Sequence, residues 1–513
     1  MKEQIPPTIR PDSVIPISMS EIKNLFDLEL VSGDKNVSVT GISMNTNDLR
    51  PRDLFVAMPG LKTHGAKFIA KAIELGAVAV ITDGAGLVDL ESLSVPVFRL
   101  ENPRAHLGAL AATVYGNHPQ AMPKLFATTG TNGKTSTTYI LEAMLRQLGE
   151  ITGLTSTAER HIAGEVIVSR LTTPESTEMQ SLIARMRERE VSSVAIEVSA
   201  QALSQLRVDG LIFDVAGFTN LSHDHLDDYA DMAEYLAAKA KLFQPDRANR
   251  GVVCLDSDYG DAFQELANIP TVSVSSHAEK NPDFLVKVLE ELPGQTKFQV
   301  TTPDGEVIVS TLPIIGAHMA SNAGLAIAML IQAGFSATRI REAISGGVDC
   351  YLPGRTELVS PAGAPSVYVD FGHSPDAFLN TLAAVRKVTA GKVLMLFGAD
   401  GDRDASKRPE MARKAVLGSD ILVITDHHPR FEDAASIRAA LLTAAKAARP
   451  EGEIYEVSPP EAAIIKAVSL VEPGDSILWA GPGHQDYRDI RGVRTPYSAR
   501  ALARQALKDA GWQ

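Results

Sequence analysis

The sequence KLFATTGTNGKT, residues 124–135, decides the fold of the middle of this chain. Its apolar start predicts a buried strand, and the run from Lys134 to about Leu148 predicts a helix. Gly130 and Gly133 frame a tight turn between them. The backbone N–H groups of such a turn and the positive end of the helix form an anion site. The pattern therefore predicts a phosphate-binding loop of a nucleotide site, although Thr128 occupies the first glycine position of the strict motif.

Two side chains next to this loop predict a magnesium site. The Thr135 hydroxyl follows Lys134, which would reach the β and γ phosphates of a nucleotide. Glu197 ends a predicted strand at residues 193–198, where a carboxylate after an apolar run usually needs a partner. A glutamate exposed to water at the strand end is the alternative. The predicted loop contacts are Gly130, Thr131, Asn132, Gly133, Lys134 and Thr135.

Buried strands alternate with helices on both sides of the loop, which predicts an α/β fold with three domains. Short apolar runs before the loop predict a small α/β domain, and the continuous apolar strands around the loop predict a parallel sheet covered on both faces. Four more such strands near the C-terminus predict a second parallel, Rossmann-like domain, without a G-x-G-x-x-G dinucleotide motif. The predicted domains are residues 1–118, 119–352 and 353–513. The strands that carry this prediction are residues 53–57, 77–81, 124–127, 193–198, 213–218, 367–369, 393–397, 421–424 and 476–480.

Composition excludes several classes of protein. A net charge of −13 over 513 residues argues against a nucleic-acid or anionic-membrane surface. No apolar run approaches the roughly 20 residues that span a bilayer, and the N-terminus lacks the apolar segment of a signal peptide. Two cysteines, Cys254 and Cys350, give neither a disulfide framework nor a zinc spacing. We expect a cytoplasmic protein, by default a monomer, without membrane insertion.

Two further features are ambiguous when taken alone. The loop TNLSHDHLDD, residues 219–228, is rich in groups that ligate metals, but such a cluster is as often a hydrogen-bonded turn. Lys239 lies in a predicted helix, where an isolated lysine is nearly always solvated.

The order and spacing of longer segments resolve this ambiguity. The segments TTGTNGKTSTT, EVSAQALSQLRV, TNLSHDHLDDY and AAKAKLF resemble the Mur ligase family, and the resemblance covers nearly the whole chain. Later segments that share it are SNAGLAIA, LPGRTE, DFGHSPDA, GADGDRDASKRP, DHHPRFED and GPGHQDY. The GDRD-x-x-KRP and HPR-x-ED segments are similar to those of the tripeptide-forming, MurE type.

The resemblance implies an ATP-dependent carbon–nitrogen ligase of peptidoglycan synthesis. Such an enzyme adds the third amino acid to UDP-N-acetylmuramoyl-L-alanyl-D-glutamate through an acyl phosphate and releases ADP and phosphate. It also implies two Mg²⁺ ions and a lysine carbamate formed from CO₂. The implied partners are the UDP-linked dipeptide and a diamino acid.

The resemblance further assigns roles to residues of this chain. Lys134, His225 and carbamylated Lys239 would be catalytic. The implied metal ligands are Thr135, Glu197, His225 and Lys239. Further ATP contacts would be Asn322, Arg355 and Asp370, with His373 at the border of the nucleotide. The UDP-substrate would contact Asn45, Thr172, Thr173, Ser199, Gln205 and Arg207, although Asn45-Thr46-Asn47 replaces the usual Asp-Ser-Arg. The incoming amino acid would contact Arg403, His428, Arg430, Gly481 and Gln485.

The identity of that amino acid is open at this point. Arg403 and Arg430 can each bind a carboxylate with two hydrogen bonds, which favours meso-diaminopimelate. However, His427-His428 replaces the Asp-Asn pair of the family, and Gln485 replaces its acid. L-lysine, ornithine and diaminobutyrate therefore stay possible.

Other functions compete with this interpretation. Another Mur-type ligase or a folylpolyglutamate synthase would lack the GDRD and HPR-x-ED segments. A catalytically inactive relative that binds only nucleotide or UDP-sugar would not need Lys134, Glu197, His225 and Lys239 together. A P-loop kinase would have no use for the C-terminal domain.

Overall fold

The computed structural model describes residues 8–60, 63–88, 93–224 and 228–512, and the element counts that follow refer to these residues. They form three main sheets of five, eleven and six strands and two small two-stranded sheets. The α/β fold with three domains, predicted from the sequence, is confirmed. None of the described helices has both the length and the apolar character needed to cross a bilayer.

The N-terminal sheet has the strand order β2-β7-β6-β5-β4. The strands β4 to β7 are parallel, and β2 joins β7 antiparallel. All five residues of β5 are buried, as the apolar run Leu54–Ala57 predicts for an inner strand, and its first residue, Asp53, accepts hydrogen bonds from Arg10 at 2.6 and 2.7 Å. The strands of this region are β1 (Ile17–Ser18), β2 (Glu29–Ser32), β3 (Ser38–Val39), β4 (Gly41–Ser43), β5 (Asp53–Ala57), β6 (Ala79–Thr82) and β7 (Val97–Arg99). Its helices are α1 (Met19–Leu25), α2 (Ile69–Glu74) and α3 (Pro103–Tyr115).

The central sheet contains the phosphate-binding loop. Its strands are β8 (Lys124–Thr129), β9 (Thr152–Thr155), β10 (Glu159–Ile162), β11 (Glu165–Val168), β12 (Ser193–Glu197), β13 (Phe213–Phe218), β14 (Ala248–Cys254), β15 (Thr271–Ser275), β16 (Phe284–Leu292), β17 (Gln295–Thr301) and β18 (Val307–Leu312). Its helices are α4 (Lys134–Gln147), α5 (Ser176–Glu188), α6 (Ala200–Ser204), α7 (Met232–Ala240), α8 (Gly260–Leu266), α9 (Ala317–Gln332) and α10 (Ala337–Ala343).

The strand order of this sheet is β11-β10-β9-β12-β8-β13-β14-β15-β16-β17-β18. The seven strands from β9 to β16 in this order are parallel, and an antiparallel hairpin extends each edge. Apolar side chains on both faces pack against helices, with α4 and α9 on one face and α5 and α7 on the other. The carboxyl ends of β8, β12 and β13 meet at one edge, which is where parallel sheets bind ligands.

The C-terminal sheet has the order β19-β20-β24-β21-β22-β23, with β19 antiparallel to five parallel strands. Its strands, with the small hairpin β25–β26, are β19 (Glu357–Leu358), β20 (Ser366–Asp370), β21 (Val393–Phe397), β22 (Ile421–Ile424), β23 (Glu453–Glu456), β24 (Ser476–Ala480), β25 (Tyr487–Ile490) and β26 (Val493–Pro496). Its helices are α11 (Pro375–Val388), α12 (Arg408–Gly418), α13 (Ala434–Ala448), α14 (Pro460–Val468) and α15 (Ala499–Asp509).

The predicted domain boundaries lie between the sheets. The first, after residue 118, lies between β7 and β8, and the second, after residue 352, lies between β18 and β19. The boundaries themselves stay predictions. Cys254 and Cys350 are both free and buried.

Candidate active site

The phosphate-binding loop joins the end of β8 to the start of α4, and its two glycines are sterically required. Gly130 and Gly133 have φ of 145° and 84°. A Cβ on Gly130 would lie 1.9 Å from Thr219 Oγ1, and one on Gly133 would lie 2.7 Å from Asn322 Oδ1. No other residue type fits so closely against its neighbours. The loop therefore has the shape of a phosphate cradle.

The amide groups of the loop are used in two ways. The N–H groups of Thr131 and Asn132 donate to the backbone and side-chain oxygens of Asn220, at 2.8 and 3.0 Å. These two bonds fix the loop against the segment after β13. The N–H groups of the first turn of α4 have no acceptor within the helix, so they remain as donors to an anion.

Two lysines share one carbonyl of the loop. Lys134 Nζ donates to the carbonyl oxygens of Gly130 and Thr131 at 3.1 and 2.9 Å, and Lys239 Nζ donates to that of Gly130 at 2.8 Å. Burial lowers the pKa of both lysines. The charge of Lys134 lowers the pKa of Lys239 further, to well below its ordinary value. Lys239 is only 1% exposed, although its position in a helix would by itself predict a solvated surface lysine.

The predicted magnesium ligands Thr135 and Glu197 lie in direct contact. Thr135 Oγ1 donates to Glu197 Oε2 at 3.0 Å, and the backbone N–H and hydroxyl of Thr157 donate to the same carboxylate at 2.9 and 3.0 Å. Glu197 is 2% exposed and is not a solvated strand end. A hydroxyl and a carboxylate are hard oxygen donors, which fit Mg²⁺. His225, the third predicted ligand, lies outside the described residues.

Arg355 connects this group to the C-terminal domain. Its Nη2 donates to Thr135 Oγ1 at 3.1 Å, and its guanidinium lies 4.3 Å from the centre of the Phe371 ring. Burial lowers the pKa of Arg355, while Asp370 and Glu197 act in the opposite direction. Asp370 accepts from the N–H groups of Thr356 and Gly372 at 2.8 and 2.7 Å. Its carboxylate therefore shapes the turn after β20, and the ribose contact predicted for it stays a prediction.

A cleft of about 1600 Å³ opens between the three domains. Its wall includes Asn45 and Thr172 of the predicted UDP-substrate contacts and Arg403, Arg430, Gly481 and Gln485 of the predicted amino-acid contacts. Thr157, the partner of Glu197, also lines it. The cleft thus brings together some predicted substrate contacts from each of the three domains.

Four of the predicted UDP-substrate contacts are outside the wall of this cleft and form a hydrogen-bonded support next to it. Thr173 Oγ1 donates to the Glu197 carbonyl at 2.9 Å and accepts from the Ser199 N–H at 3.1 Å. Arg207 donates to the Thr173 carbonyl at 3.4 Å and to Gln205 Oε1 at 2.7 Å. Their predicted contacts to substrate stay predictions.

His428 also lies outside the cleft wall, 3% exposed. Its Nδ1 accepts from the Asp489 N–H at 2.9 Å and its Nε2 bonds Gln485 Oε1 at 2.8 Å. Asp400, His427 and His428 lie close enough together to hold a metal ion. Both nitrogens of His428 are already occupied, however, so a metal would have to displace a hydrogen bond. His428 therefore belongs to a hydrogen-bonded chain with Asp489 and Gln485.

Two contacts of the site were not predicted from the sequence. His161 lies between Glu142 and Glu159, with nitrogen–oxygen distances of 3.3 and 3.4 Å, and Tyr139 donates to Glu159 at 2.8 Å. This group, the His161 cluster, connects α4 to β10, and Glu159 lines the cleft. The second feature is a buried ion pair between domains, in which Lys407 Nζ lies 3.2 Å from Asp224 Oδ1.

Comparison with known proteins places these observations in a family. Three domain profiles match in order: "Mur ligase family, catalytic domain" at residues 38–115, "Mur ligase middle domain" at 128–330 and "Mur ligase, glutamate ligase domain" at 354–483. A UDP-N-acetylmuramyl-tripeptide synthetase of Leifsonia xyli is 51% identical over 509 residues, 99% of each chain.

Two more distant proteins agree with this match. A UDP-N-acetylmuramoyl-L-alanyl-D-glutamate–2,6-diaminopimelate ligase of Streptomyces coelicolor is 39% identical over 97% of this chain and 98% of its own. A solved structure of a ligase with the same name, 22% identical, matches with a TM-score of 0.67 over 97% of this chain and 99% of its own. At that identity the structure supports the fold alone.

Proposed function

The chain belongs to the Mur ligase family, and we propose that it is the ATP-dependent ligase that adds a diamino acid to UDP-N-acetylmuramoyl-L-alanyl-D-glutamate. The names of the Leifsonia xyli and Streptomyces coelicolor relatives support a muramyl-tripeptide product. The observation that carries the proposal is the single cleft between the three domains, which has Thr157 beside the Glu197 carboxylate on one side and Arg403 and Arg430 on another.

The phosphate-binding loop would hold the triphosphate of ATP. The Lys134 ammonium bonds two loop carbonyls, and a phosphate in the loop would offer it a stronger, charged acceptor. Arg355 already contacts Thr135, so its guanidinium is placed to share the negative charge. The Asn322 side chain lies against the loop at Gly133. This position supports a contact between Asn322 and the nucleotide.

Thr135 and Glu197 would hold one Mg²⁺, with His225 and Lys239 as the proposed ligands of a second. When bound, the two ions would offset the repulsion between a carboxylate and a triphosphate. The D-glutamate γ-carboxylate would attack the γ-phosphate and release ADP, giving an acyl phosphate. The amine of the incoming amino acid would then attack the carbonyl carbon and release phosphate, so that no protein nucleophile is required.

Lys239 would become a metal ligand by carbamylation. Its amine, with a pKa well below the ordinary value, is available unprotonated to attack CO₂, forming an N–C bond and releasing one proton. The product is an anionic oxygen donor. The carbamate would also place a negative charge beside the Lys134 ammonium, where the neutral amine places none.

We favour meso-diaminopimelate as the incoming amino acid, because Arg403 and Arg430 line the cleft and either can pair with a carboxylate. Residues of all three domains of one chain line the cleft, and we propose a monomer. ATP and a nucleotide-linked sugar as substrates agree with a cytoplasmic location.

The test is product formation. Purified protein, ATP, Mg²⁺ and UDP-N-acetylmuramoyl-L-Ala-D-Glu are incubated with each of a panel of diamino acids, and products are identified by mass. We expect an ATP-dependent adduct with the mass of the UDP-linked tripeptide. Failure to form an adduct with any amino acid, while ATP is bound, would refute the proposal.

A further inference from the structure

Resting on the proposed function, we infer that Asp404 is a catalytic residue of the second step, which binds the attacking amine of the incoming amino acid and accepts a proton from it. The amine enters the cleft as an ammonium group, which has no lone pair and cannot attack a carbonyl carbon until a proton leaves. A carboxylate oxygen next to the reaction centre can take that proton. The loop between β21 and α12, residues 398–407, contains such an oxygen.

The carboxylates of the cleft wall differ in whether their buried oxygens have partners. In the described part of the chain, two of these carboxylates have an oxygen that is closed to solvent and receives no hydrogen bond, Asp400 Oδ1 and Asp404 Oδ2. An ionised group in this state is costly unless a bound molecule supplies the donor. Both oxygens are therefore candidate acceptors for an ammonium group.

Asp400 lies among groups of the C-terminal domain. Its Oδ1 is 3.5 Å from His427 Nε2, and its Oδ2 is 3.5 Å from Arg430 Nη2. Arg430 is proposed above to pair with a carboxylate of the amino acid. Asp400 therefore belongs to the part of the pocket that recognises the substrate, and not to the part where the new bond forms.

Asp404 instead faces the central domain. Its Oδ2 lies 3.9 Å from His223 Nε2, which is too far for a hydrogen bond, and the His223 side chain is 51% exposed. His223 belongs to the segment after β13 that fixes the phosphate-binding loop through Asn220. A half-exposed imidazole loses little buried area when it moves aside, so a substrate amine can reach this oxygen.

A neighbouring ion pair places this contact next to the phosphate-binding loop. Lys407 Nζ lies 3.2 Å from Asp224 Oδ1. Burial lowers the pKa of Lys134 and of Lys239, and the charge of Asp224 opposes this shift in both, so Asp224 lies near both amines. An amine held by Asp404, three residues before Lys407, would therefore lie beside the centre at which the acyl phosphate forms.

The other oxygen of Asp404 fixes the orientation of the carboxylate. Oδ1 accepts from the backbone N–H and from the hydroxyl of Ser406, at 2.9 and 2.5 Å. These two bonds occupy Oδ1 and leave Oδ2 as the oxygen available to substrate.

The chemistry of the step balances with this one carboxylate. One proton passes from the ammonium group to Asp404 Oδ2, and the nitrogen gains its lone pair. The N–C bond then forms, the C–O bond to phosphate breaks, and the second proton leaves with the phosphate. No further reactant is required.

Hydroxylamine separates the two steps of the reaction. It is unprotonated at neutral pH, so it attacks an acyl phosphate without the help of a base and gives a hydroxamate. The wild-type protein is incubated with ATP, Mg²⁺ and UDP-N-acetylmuramoyl-L-Ala-D-Glu, and either hydroxylamine or an amino acid, meso-diaminopimelate or L-lysine, is added. We expect the hydroxamate in the first case and the UDP-linked tripeptide in the second, both quantified by mass.

The variant Asp404→Asn keeps the shape of the side chain and an oxygen for Ser406, but it replaces the acceptor Oδ2 with an N–H donor. We expect kcat for tripeptide formation to fall about 100-fold, since a positioned base contributes roughly 10²- to 10⁴-fold, whereas the rate of hydroxamate formation should change by less than about twofold. Asp404→Glu retains a carboxylate and should form tripeptide about tenfold faster than Asp404→Asn.

The matched control is Asp402→Asn, in the same loop. Asp402 is exposed, lies outside the cleft wall and has a φ of 51°, which asparagine adopts readily. Its rates of tripeptide and hydroxamate formation should equal those of the wild-type protein.

The inference is overturned if Asp404→Asn forms tripeptide within about threefold of the wild-type rate, or if Asp404→Glu is no faster than Asp404→Asn. It is also overturned if Asp404→Asn loses hydroxamate formation to the same extent as tripeptide formation, because Asp404 would then act on the first step or on the structure. A wild-type protein that forms neither product with any amino acid would instead refute the proposed function, and this inference with it. The hydroxamate therefore distinguishes the two failures.

Discussion

The His161 cluster makes the stability of the wall beside the nucleotide loop depend on pH. Burial alone would lower the pKa of His161, but the hydrogen bonds and charges of Glu142 and Glu159 raise it to about 9. In return, the imidazolium lowers the pKa of Glu142 and of Glu159. Burial acts in the opposite direction on both carboxylates. The perturbation is His161→Gln, which removes the charge and leaves a polar side chain of similar size.

The magnitude and its sign follow from this pKa. A rise from the ordinary 6.5 to about 9 corresponds to about 3 kcal/mol, at about 1.4 kcal/mol for each pH unit. The folded protein binds the His161 proton more tightly than the unfolded chain does. The stabilisation is therefore complete below pH 6.5, decreases as pH rises from 6.5 to about 9, and is absent above that range.

Hydrogen exchange measured by mass spectrometry on peptides of α4 and β10 gives the free energy of local opening. We expect His161→Gln to lower it by about 3 kcal/mol at pH 6 and by less than about 1 kcal/mol at pH 9.5, after correction for intrinsic exchange. His118→Gln, at an exposed histidine, is the control and should have no effect at either pH. A loss that is the same at both pH values would refute the charged state of His161 and the reasoning from it.

Three other substitutions test the metal and phosphate sites. Lys239→Met should lower kcat by about 100-fold or more, because the proposed carbamate is lost. Lys241→Met, at an exposed lysine two residues away, should leave kcat unchanged. Equal kcat values for Lys239→Met and the wild-type protein in steady-state assays would contradict the carbamate. Glu197→Gln should raise the Mg²⁺ concentration for half-maximal activity by about tenfold, and an unchanged Mg²⁺ titration would remove Glu197 from the metal site. Gly130→Ala should lower activity by about 100-fold, because its Cβ would meet Thr219 Oγ1 at 1.9 Å and displace the loop; unaltered binding of a fluorescent ATP analogue would contradict this.

The parts of the fold that the sequence predicted are those with a strong local signal. Continuous apolar runs located β5, β13, β21 and β22 with the bounds that the structure has, because strands buried on both faces contain little else. The hairpins at the edges of the central sheet were missed. β17 alternates buried and more exposed residues, and β11 is exposed at three of its four positions, so neither contains the continuous buried apolar run that marks a central strand.

The site shows the same division between local and long-range information. The loop glycines, Lys134 and Thr135 are adjacent in sequence, and their geometry follows from one strand, one turn and one helix. Burial of Lys239 beside Gly130, by contrast, joins residues 109 positions apart, and the Asp224–Lys407 pair joins two domains. No periodicity within one helix or strand encodes such contacts.

The departures from the family pattern had a meaning that single positions did not reveal. His428 and Gln485 each appeared in the sequence only as a departure from the family's residue. In the fold His428 Nε2 lies 2.8 Å from Gln485 Oε1, and His428 Nδ1 accepts from the backbone N–H of Asp489, 61 residues away. Only the assembled fold shows that the two departures are in contact.

The two buried cysteines make the chain a convenient starting point for site-specific labelling. Burial raises the pKa of both thiols, that of Cys350 to about 12, so neither should react with maleimides at neutral pH in the folded protein. New surface cysteines could then carry fluorophores without removal of the native thiols. A donor on the N-terminal domain and an acceptor on the C-terminal domain would report in real time how the width of the cleft changes as each substrate is added.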